Sequence, residues 1–400
     1  HLGILRGFCT AQSGPCSTVR PMTNDASSVQ PKTRADLEQV PAYVPGKAVP
    51  GALKIASNEM TQPPLPSVVE AISQTIADPT TSPNRYPDMG AVDLRIKLGE
   101  HLGLPMERVA VGCGSSALCL QLVQATCEDG DEVVFPWRSF EAYPILARVA
   151  GATPVPVPLD AQGRNDLSAM AAAITGRTRL VFVCNPNNPT GTTITREAFA
   201  EFMAQVPGDV VVALDEAYIE LVDEATHAAT PLAHELLDTY PNLVGLRTFS
   251  KVYGLAGLRV GYMFGPEKLV EAVNKVAIPF SINTLAQIAA LTSLDAQEEL
   301  TARIAEVRAQ RVAVTEAINA ATGRETVLPN SQANFIWIDE GRIANLSLLD
   351  DVSVATTTDL GDFLAQRNIL IRCFAGEGAR ITITTEEETS QLLAALGIER

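Results

Sequence analysis

Short runs of apolar, often β-branched residues alternate with amphipathic helical stretches along most of this 400-residue chain. The apolar runs are 109–111, 132–135, 180–183, 210–214 and 243–246, each bounded by polar or turn residues. Runs that are apolar throughout are typical of strands buried on both faces of a parallel sheet. Stretches with a helical period lie between them, for example 117–125 and 196–205. The alternation predicts a doubly wound, mainly parallel α/β sheet.

The pattern changes near residue 285, where helical stretches lengthen and strands become sparse. The predicted elements of this part are helices at 287–300 and 306–321 and strands at 334–338, 369–372 and 380–383. Runs of helices followed by short strands are typical of an α+β unit. We therefore expect a second, smaller α+β domain.

The domain boundaries follow from these patterns. A large domain is expected over 76–284, and the small domain is expected to combine 31–75 with 285–400. Residues 1–30 are rich in Ser, Thr, Gly and Pro without a hydrophobic period, which predicts a flexible tail. The segment 341–358 is expected to form a surface loop and the start of a helix.

The charge and hydropathy patterns argue against two classes of partner. The chain has 30 Lys and Arg against 46 Asp and Glu, a net charge of −16. Such a surface repels nucleic acid, and no basic cluster overrides it locally. No stretch approaches the roughly 20 consecutive apolar residues that a membrane-spanning helix requires. We therefore expect neither nucleic acid nor a membrane as a partner.

The cysteine pattern bears on the compartment and on metal binding. The seven cysteines are odd in number and show no CxxC or CxxH spacing. This argues against a disulfide framework and against a zinc site. The sequence therefore predicts free thiols, no metal and a reducing, cytoplasmic environment.

Two Gly- or Pro-containing loops follow predicted strands. Gly112-Cys-Gly114-Ser115-Ser116 leads from a strand into a helix, and free amides at a helix start suit a phosphate. Asn185-Pro-Asn-Asn188-Pro-Thr-Gly191 follows a buried strand and forms a rigid loop where ligands of open α/β sheets bind. The Gly/Ser turn alone has a purely structural alternative.

Charged residues follow two further strands. Asp215-Glu-Ala-Tyr218 places an acid after an apolar run, where it either caps a helix or holds a charged partner. Thr248-Phe-Ser250-Lys251, with Arg259 downstream, places a lysine among small hydroxyls, a candidate for Schiff-base formation. A lone lysine is more often a surface group. The order of all four motifs is much more specific than any one of them.

The stretches GCGSSALC, CNPNNPTG, DEAYIE and RTFSKVYGLAGLRVGY resemble fold-type I pyridoxal-phosphate aminotransferases, in the branch of the histidinol-phosphate and aromatic enzymes. The resemblance covers about residues 43–380. Within the branch, PAYVPGKAVPGALKIASNE and FPWRSFEAYP are similar to actinobacterial aromatic (phenylalanine) aminotransferases. The resemblance implies a seven-stranded sheet domain with a smaller α+β domain, pyridoxal 5′-phosphate as cofactor, and a homodimer with a shared active site.

The resemblance assigns roles to individual residues. Lys251 would hold the coenzyme covalently and then move the substrate's α-proton, and Asp215 would pair with the pyridine nitrogen. Asn188 and Tyr218 would bond to the ring's 3-oxygen, and Phe140 would stack on the ring. The residues around the phosphate would be Gly114, Ser115, Ser116, Thr248, Ser250 and Arg259.

Other residues are implied in substrate binding and in the second subunit. Arg380 matches the arginine that binds the substrate's α-carboxylate, with Tyr43 and Asn188 nearby. Tyr86 matches a tyrosine that reaches the cofactor phosphate of the neighbouring subunit. The alternative for Arg380 is a surface arginine at the edge of a strand, without a role in substrate binding.

Two amino donors compete. Arg372 matches the arginine that holds the phosphate of histidinol phosphate, whereas Ser116 stands where many such enzymes carry an acid. Trp137 and Tyr143 would enrich the pocket in aromatic rings, unless they are ordinary core residues. We expect transamination of phenylalanine, tyrosine and, as a further candidate, tryptophan with 2-oxoglutarate, giving aryl-pyruvate and glutamate. The alternatives are a histidinol-phosphate aminotransferase and a decarboxylase or lyase of the same fold.

Overall fold

A seven-stranded sheet lies at the centre of the computed structural model. The structure describes residues 31–40 and 49–399, so the predicted tail of residues 1–30 and the candidate Tyr43 lie outside the described residues. The strands of the described chain are β1 (Leu53–Lys54), β2 (Val109–Gly112), β3 (Glu132–Trp137), β4 (Thr153–Pro158), β5 (Thr178–Cys184), β6 (Val211–Asp215), β7 (Leu243–Thr248), β8 (Gly261–Phe264), β9 (Phe335–Asp339), β10 (Ile369–Leu370), β11 (Arg372–Phe374) and β12 (Gly378–Thr382). The α-helices are α1 (Pro66–Ala77), α2 (Val92–Leu102), α3 (Ser115–Thr126), α4 (Ala142–Val149), α5 (Leu167–Ala172), α6 (Arg196–Met203), α7 (Glu224–Ala229), α8 (Ala233–Leu236), α9 (Glu267–Lys275), α10 (Thr284–Asp295), α11 (Gln297–Thr322), α12 (Glu340–Ile343), α13 (Thr357–Ala365) and α14 (Glu386–Ala395). Short 3₁₀ helices cover Ala35–Gln39, Met106–Arg108, Ile219–Leu221, Ala256–Leu258 and Ala344–Leu348.

The strand order of the large sheet is β2-β8-β7-β6-β5-β3-β4. Its neighbouring strands are parallel except at β8, which runs antiparallel to both β2 and β7. Helices α3, α4 and α9 contribute to the core on one face, and α5, α6 and α10 to the core on the other. The expected doubly wound, mainly parallel α/β sheet is confirmed. Because every strand except β8 points the same way, the carboxyl ends of these strands meet at one edge.

Successive residues of the central strand β5 enter different cores. Val181 and Val183 pack in one hydrophobic cluster, and Leu180 and Phe182 pack in another. Neighbouring side chains of a strand point to opposite faces of the sheet, so both faces are covered here. A strand covered on both faces is apolar throughout, which is the pattern that the sequence shows.

Two strands of the large sheet were not among the predicted ones. Strand β4 carries Pro154, Pro156 and Pro158, and prolines are typical of loops in a sequence. Because β4 lies at the edge of the sheet and pairs with β3 alone, it tolerates them. Strand β8 is short and follows Arg259, so its residues looked like part of the loop motif. Both strands lack the long β-branched run that marked the others.

A second core surrounds the smaller sheets. Strands β11, β12 and β9 form an antiparallel sheet, and β1 pairs in parallel with β10. Helices α13 and α14 and the C-terminal half of α11 supply apolar side chains to this core. The strand predicted at 369–372 is divided between β10 and β11, and the strand predicted at 380–383 corresponds to β12.

The segments predicted for the small domain are divided between the two cores. Leu65 and Val68 of the N-terminal segment pack in a core of the large sheet, as do Ala286 and Ala289 of the C-terminal segment. Ile55, by contrast, belongs to the core of the smaller sheets. The change of core therefore does not coincide with the boundaries expected at residues 75 and 285.

The segment 341–358 is not the surface loop that the sequence analysis expected. Ile343, Leu346 and Val352 are buried in the core of the smaller sheets. The helix start expected there is present: α13 begins at Thr357, after a capping box in which the Thr356 hydroxyl accepts from the Asp359 amide. Ile343, Leu346, Leu349 and Val352 recur every third residue, a periodicity that the polar residues between them obscured.

The predicted helices at 287–300 and 306–321 form two helices that meet at Ala296. Helix α11 spans 26 residues, but it buries Arg303 and Arg311, so it is not apolar. Within residues 31–40 and 49–399, no helix combines the length and the apolar character needed to cross a bilayer.

The packing between β7 and β8 allows a direct test of this core. Gly245 lies opposite Phe264, and a Cβ at residue 245 would lie 2.3 Å from the Phe264 ring and 2.7 Å from Ala233 Cβ. We expect Gly245→Ala to lower the free energy of unfolding by about 2 kcal/mol, because overpacking displaces core side chains. Urea denaturation measures the change. Gly208→Ala is the control, since its Cβ would meet no atom within 4 Å; an equal loss in both variants would contradict this account.

Candidate active site

A cavity of about 360 Å³ opens at the carboxyl edge of the large sheet. The predicted site residues that line it are Ser115, Ser116, Phe140, Asn188, Asp215, Tyr218, Thr248, Ser250, Lys251, Arg259, Arg372 and Arg380. Gly114 immediately precedes them at the start of α3. Tyr86 does not line this cavity, and its side chain is 83% exposed. The structure thus brings together residues at or just beyond the ends of five strands, and from the small β11–β12 hairpin.

Lys251 follows β7 and lies in the cavity. Burial lowers the pKa of its amine to about 8, and the positive charge of Arg380 acts in the same direction. The amine nitrogen lies 5.4 Å from the centre of the Tyr218 ring. A lysine with this pKa is unprotonated in a useful fraction of molecules near neutral pH, so it can act as a nucleophile or a base.

Asp215 is the last residue of β6 and is 4% exposed. Its Oδ2 accepts a hydrogen bond of 2.6 Å from the Tyr143 hydroxyl, and its Oδ1 accepts one of 3.2 Å from the Ala217 amide. Burial raises the pKa of the carboxyl to about 6, although these hydrogen bonds oppose the shift. Such a carboxylate favours a cationic partner in the cavity, because burial without one is costly.

The sequence suggested that Tyr143 and Trp137 enrich the pocket in aromatic rings, with ordinary core residues as the alternative. The structure shows that both are core residues and that neither lines the cavity. Tyr143 is fully buried, stacks on Phe182 with ring centres 4.5 Å apart, and meets Phe140 edge to face. Trp137 packs against Phe135 and does not line the cavity. Tyr143 nevertheless contributes to the site, since its hydroxyl donates a hydrogen bond to Asp215 from outside the cavity.

A hydrogen-bonded group connects the Asn-Pro loop with the smaller sheet. Arg380 donates to Asn188 Oδ1 at 2.5 Å and to the Ala56 carbonyl at 2.7 Å. Asn58 donates to the Tyr218 hydroxyl at 3.0 Å, and burial raises the pKa of that hydroxyl, which therefore keeps its proton. Sequence reasoning missed Asn58, which lies in the segment IASNE without any distinctive pattern.

Hydroxyl groups and a guanidinium surround the start of α3. Arg259 lies 3.3 Å from Ser116 Oγ and 3.4 Å from Ser250 Oγ. No side chain caps α3; the Ala117 amide bonds to the Gly114 carbonyl, and the amides of Ser115 and Ser116 lie at the cavity that these two residues line. Gly114 has a φ of 76°, and a Cβ there would lie 2.3 Å from the Arg259 guanidinium. Glycine thus allows the arginine to reach a site suited to a phosphate.

Arg372 has a carboxylate partner that the sequence analysis did not identify. Its Nη2 donates to both oxygens of Glu141 at 2.8 Å, and both side chains line the cavity. Glu141 directly follows Phe140 at the start of α4. No local pattern could have revealed the pair, because its members are 231 residues apart in sequence.

The comparisons with known proteins identify the family. The family model for class I and II aminotransferases matches residues 50–396. A protein named aromatic amino acid aminotransferase from Corynebacterium diphtheriae is 56% identical, over 90% of this chain and 98% of its own. A protein of the same name from Rhodococcus jostii is 50% identical, over 91% and 95%. The crystal structure of histidinol-phosphate aminotransferase from Sinorhizobium meliloti with pyridoxal-5′-phosphate is 28% identical, with a TM-score of 0.76, and covers 95% of this chain and 97% of that one.

The raised pKa of Asp215 predicts a pH dependence of stability in the ligand-free protein. An ordinary carboxyl titrates near 3.8, so folded Asp215 binds its proton more tightly than the unfolded chain does. Its contribution to stability is complete at low pH and is lost as the pH rises through about 6. Asparagine carries no charge at any pH. We therefore expect the free energy of unfolding of Asp215→Asn, relative to that of the wild type, to be about 2 kcal/mol higher at about pH 7.5 than at about pH 4.5.

Urea unfolding at the two pH values measures this difference. Asp209→Asn, on an exposed loop, is the matched control and is expected to follow the wild type at both pH values. A constant difference between Asp215→Asn and the wild type across this range would show that Asp215 is ionised as readily as a surface carboxyl.

Proposed function

Because this chain belongs to the family of class I and II aminotransferases, we propose that it transfers the amino group of aromatic L-amino acids, phenylalanine and tyrosine first, to 2-oxoglutarate. The products are an aryl-pyruvate and glutamate. One observation carries the proposal: a single cavity holds a lysine of lowered pKa, a buried carboxylate and Arg380. The names of the relatives that are 50% and 56% identical support an aromatic donor. Small molecules are therefore the substrates.

The cavity fits pyridoxal 5′-phosphate, the group present in the Sinorhizobium meliloti enzyme. The uncapped start of α3, Arg259 and the close approach permitted by Gly114 suit its phosphate. The buried Asp215 suits its pyridinium nitrogen. When bound, the group withdraws electrons from the substrate's α-carbon and so stabilises negative charge there.

Lys251 performs two tasks in the proposed mechanism. Its unprotonated amine binds the cofactor covalently, which the lowered pKa permits near neutral pH. With the cofactor and substrate bound, the free amine of Lys251 would act as the base that moves the substrate's α-proton. Desolvation lowers the basicity of the amine, so that a fraction of it is uncharged near neutral pH.

Asp215, Tyr143 and Tyr218 set the protonation of the site. Asp215 stays ionised opposite a pyridinium, and the 2.6 Å hydrogen bond from Tyr143 fixes its orientation. Tyr218 keeps its proton and has it available for an oxygen in the cavity, while Asn58 fixes the position of the hydroxyl. Asn188 accepts a hydrogen bond from Arg380 and so orients its guanidinium.

Arg380 binds the α-carboxylate in this proposal. Two of its hydrogen-bond partners, Asn188 Oδ1 and the Ala56 carbonyl, are neutral acceptors that orient the guanidinium. A planar guanidinium can bind a carboxylate with two parallel hydrogen bonds. This contact would fix the α-carbon beside Lys251.

Histidinol phosphate is the second candidate donor. Arg372 in the cavity and the likeness to the Sinorhizobium meliloti enzyme favour it. Glu141 opposes it, since its carboxylate already occupies the guanidinium that a phosphate would need. A decarboxylase or lyase has no observation in its favour.

We also place the reaction in the cytoplasm. The cysteines of the described chain, at 113, 119, 127, 184 and 373, are all free thiols. Disulfides are rare in a reducing cytoplasm, and free thiols are usual there.

A half-reaction without keto acid tests the donor. Protein loaded with the cofactor is mixed separately with L-phenylalanine and L-histidinol phosphate, and the absorbance of the bound cofactor is followed through one turnover. We expect conversion by phenylalanine at a rate at least about tenfold higher, which corresponds to about 1.4 kcal/mol of discrimination. Lys251→Ala, which lacks the amine, is the control and should convert neither donor. The reverse preference would assign the protein to histidinol phosphate instead.

The proposed active enzyme is a homodimer. Tyr86 is 83% exposed and packs on Phe280, with ring centres 4.7 Å apart. Met89, near Tyr86, is 63% exposed, and Ile278, near Phe280, is 74% exposed. A hydrogen bond from the Gln287 side chain to the Asp88 carbonyl connects the start of α10 with the segment of Tyr86 and Met89. Exposed apolar groups of this kind mark interaction surfaces. A second copy is the occupant that we infer, because Tyr86 would then reach the partner's cavity rather than its own.

The homodimer predicts a loss of association when charge enters this patch of Tyr86, Met89, Ile278 and Phe280. We expect the wild type to show twice its 42.6 kDa chain mass and Phe280→Asp to show a single chain mass. Light scattering after size-exclusion chromatography measures both. Leu348→Asp is the control, since Leu348 is exposed outside the patch. A Phe280→Asp variant that stays dimeric would place the interface elsewhere.

A further inference from the structure

Two arginines enter the cavity from one wall. Arg372 of β11 and Arg380 of β12 are direct partners in the antiparallel hairpin, and both line the cavity. Directly opposite residues of an antiparallel pair project from the same face of the sheet. A substrate with one carboxylate and an uncharged side chain needs only one of these guanidinium groups.

The two arginines have different electrostatic surroundings. Arg380 is 7% exposed and donates to the neutral oxygens of Asn188 and Ala56. Arg372 donates to both carboxylate oxygens of Glu141 at 2.8 Å, with side-chain exposures of 20% and 26% for the two residues. A charge-assisted bond of this kind in a partly dry site cancels most of the field of the guanidinium.

We infer that Glu141 is a specificity-determining residue, which pairs with Arg372 while an uncharged side chain is bound and so favours donors with uncharged side chains. A ligand whose side chain carries a carboxylate or a phosphate, the acceptor 2-oxoglutarate included, binds at the cost of displacing Glu141 from the arginine. The anionic group of the ligand then replaces the Glu141 carboxylate at Arg372, and the displaced carboxylate stays close to that group and repels it. Specificity of this kind depends on a repulsive element as well as an attractive one. The inference rests on the proposed aromatic donor and names the residue that sets it.

A purely structural role for the pair is the competing explanation. Arg138 and Glu377 form a second ion pair between the same two segments, the loop after β3 and the β11–β12 hairpin. Neither of these two residues lines the cavity. If Glu141 merely fastened the hairpin to the loop, Glu377→Gln would change substrate preference in the same way as Glu141→Gln.

Single-turnover half-reactions with L-glutamate, L-histidinol phosphate and L-phenylalanine test the inference. We expect Glu141→Gln, which keeps the size of the side chain and removes its charge, to raise the rate ratio of each anionic donor to phenylalanine. The expected rise is at least about tenfold, or about 1.4 kcal/mol. Glu141→Ala should act in the same direction, which covers the case of a misfolded glutamine variant. Glu377→Gln should leave the ratio as in the wild type.

The dependence on Arg372 is tested in a double-mutant cycle. In an Arg372→Gln background the additional Glu141→Gln change should no longer raise the ratio, because there is no guanidinium to release. An equal rise with and without Arg372 would overturn the inference, as would an unchanged ratio in both Glu141 variants.

Binding of unreactive analogues gives a readout independent of turnover. Calorimetric titration of the cofactor-loaded protein with glutarate and with 3-phenylpropionate measures the two dissociation constants. Glu141→Gln should shift their ratio towards glutarate by at least about tenfold, and Glu377→Gln, outside the cavity lining, should not.

The two proposals fail in different ways. If the aromatic donor is wrong, the wild type itself converts histidinol phosphate faster than phenylalanine. If the role of Glu141 is wrong, the wild type prefers phenylalanine and the Glu141 variants keep that preference.

Discussion

Desolvation of Lys251 and Asp215 in one cavity is the constraint on which the site depends. Burial lowers the pKa of the amine to about 8 and raises that of the carboxyl to about 6, so both pKa values lie closer to neutral pH than the ordinary ones do. The parallel sheet makes this possible, because β6 and β7 end at the same edge. Tyr143 and Arg380 then adjust the balance, the first by a hydrogen bond to the acid and the second by a positive charge near the amine.

The smaller sheet is coupled to this edge through polar contacts as well as through Phe335 of β9, which packs in a core of the large sheet. Arg380 of β12 meets Asn188 of the Asn-Pro loop, and Asn58, which precedes α1, meets Tyr218 after β6. These contacts leave the catalytic groups on the rigid large sheet. They also mean that the carboxylate-binding arginine of the proposed mechanism depends on the correct docking of a separate hydrophobic core.

Much of the fold could be predicted because buried parallel strands carry continuous apolar runs, as β5 does. Strand β4 could not, since its prolines imitate a loop. The motif residues such as Lys251 and Asp215 were found because each follows a strand directly, and the directions of the strands bring them together. Side-chain pairs were beyond such reasoning: Tyr143 meets Asp215 across 72 residues, and Glu141 meets Arg372 across 231. Local patterns carry no information about contacts at that separation.

This difference separates two kinds of residue in the site. Groups that the proposed chemistry requires lie at strand ends, where the backbone fixes them and few substitutions are compatible with the cavity. Groups that distinguish one side chain from another lie on the loop after β3 and on the β11–β12 hairpin, as Glu141 and Arg372 do. A change of charge there alters which side chain is accepted while Lys251 and Asp215 keep their surroundings. A chain that shares the catalytic motifs with enzymes of another donor can therefore differ from them in substrate through a single carboxylate.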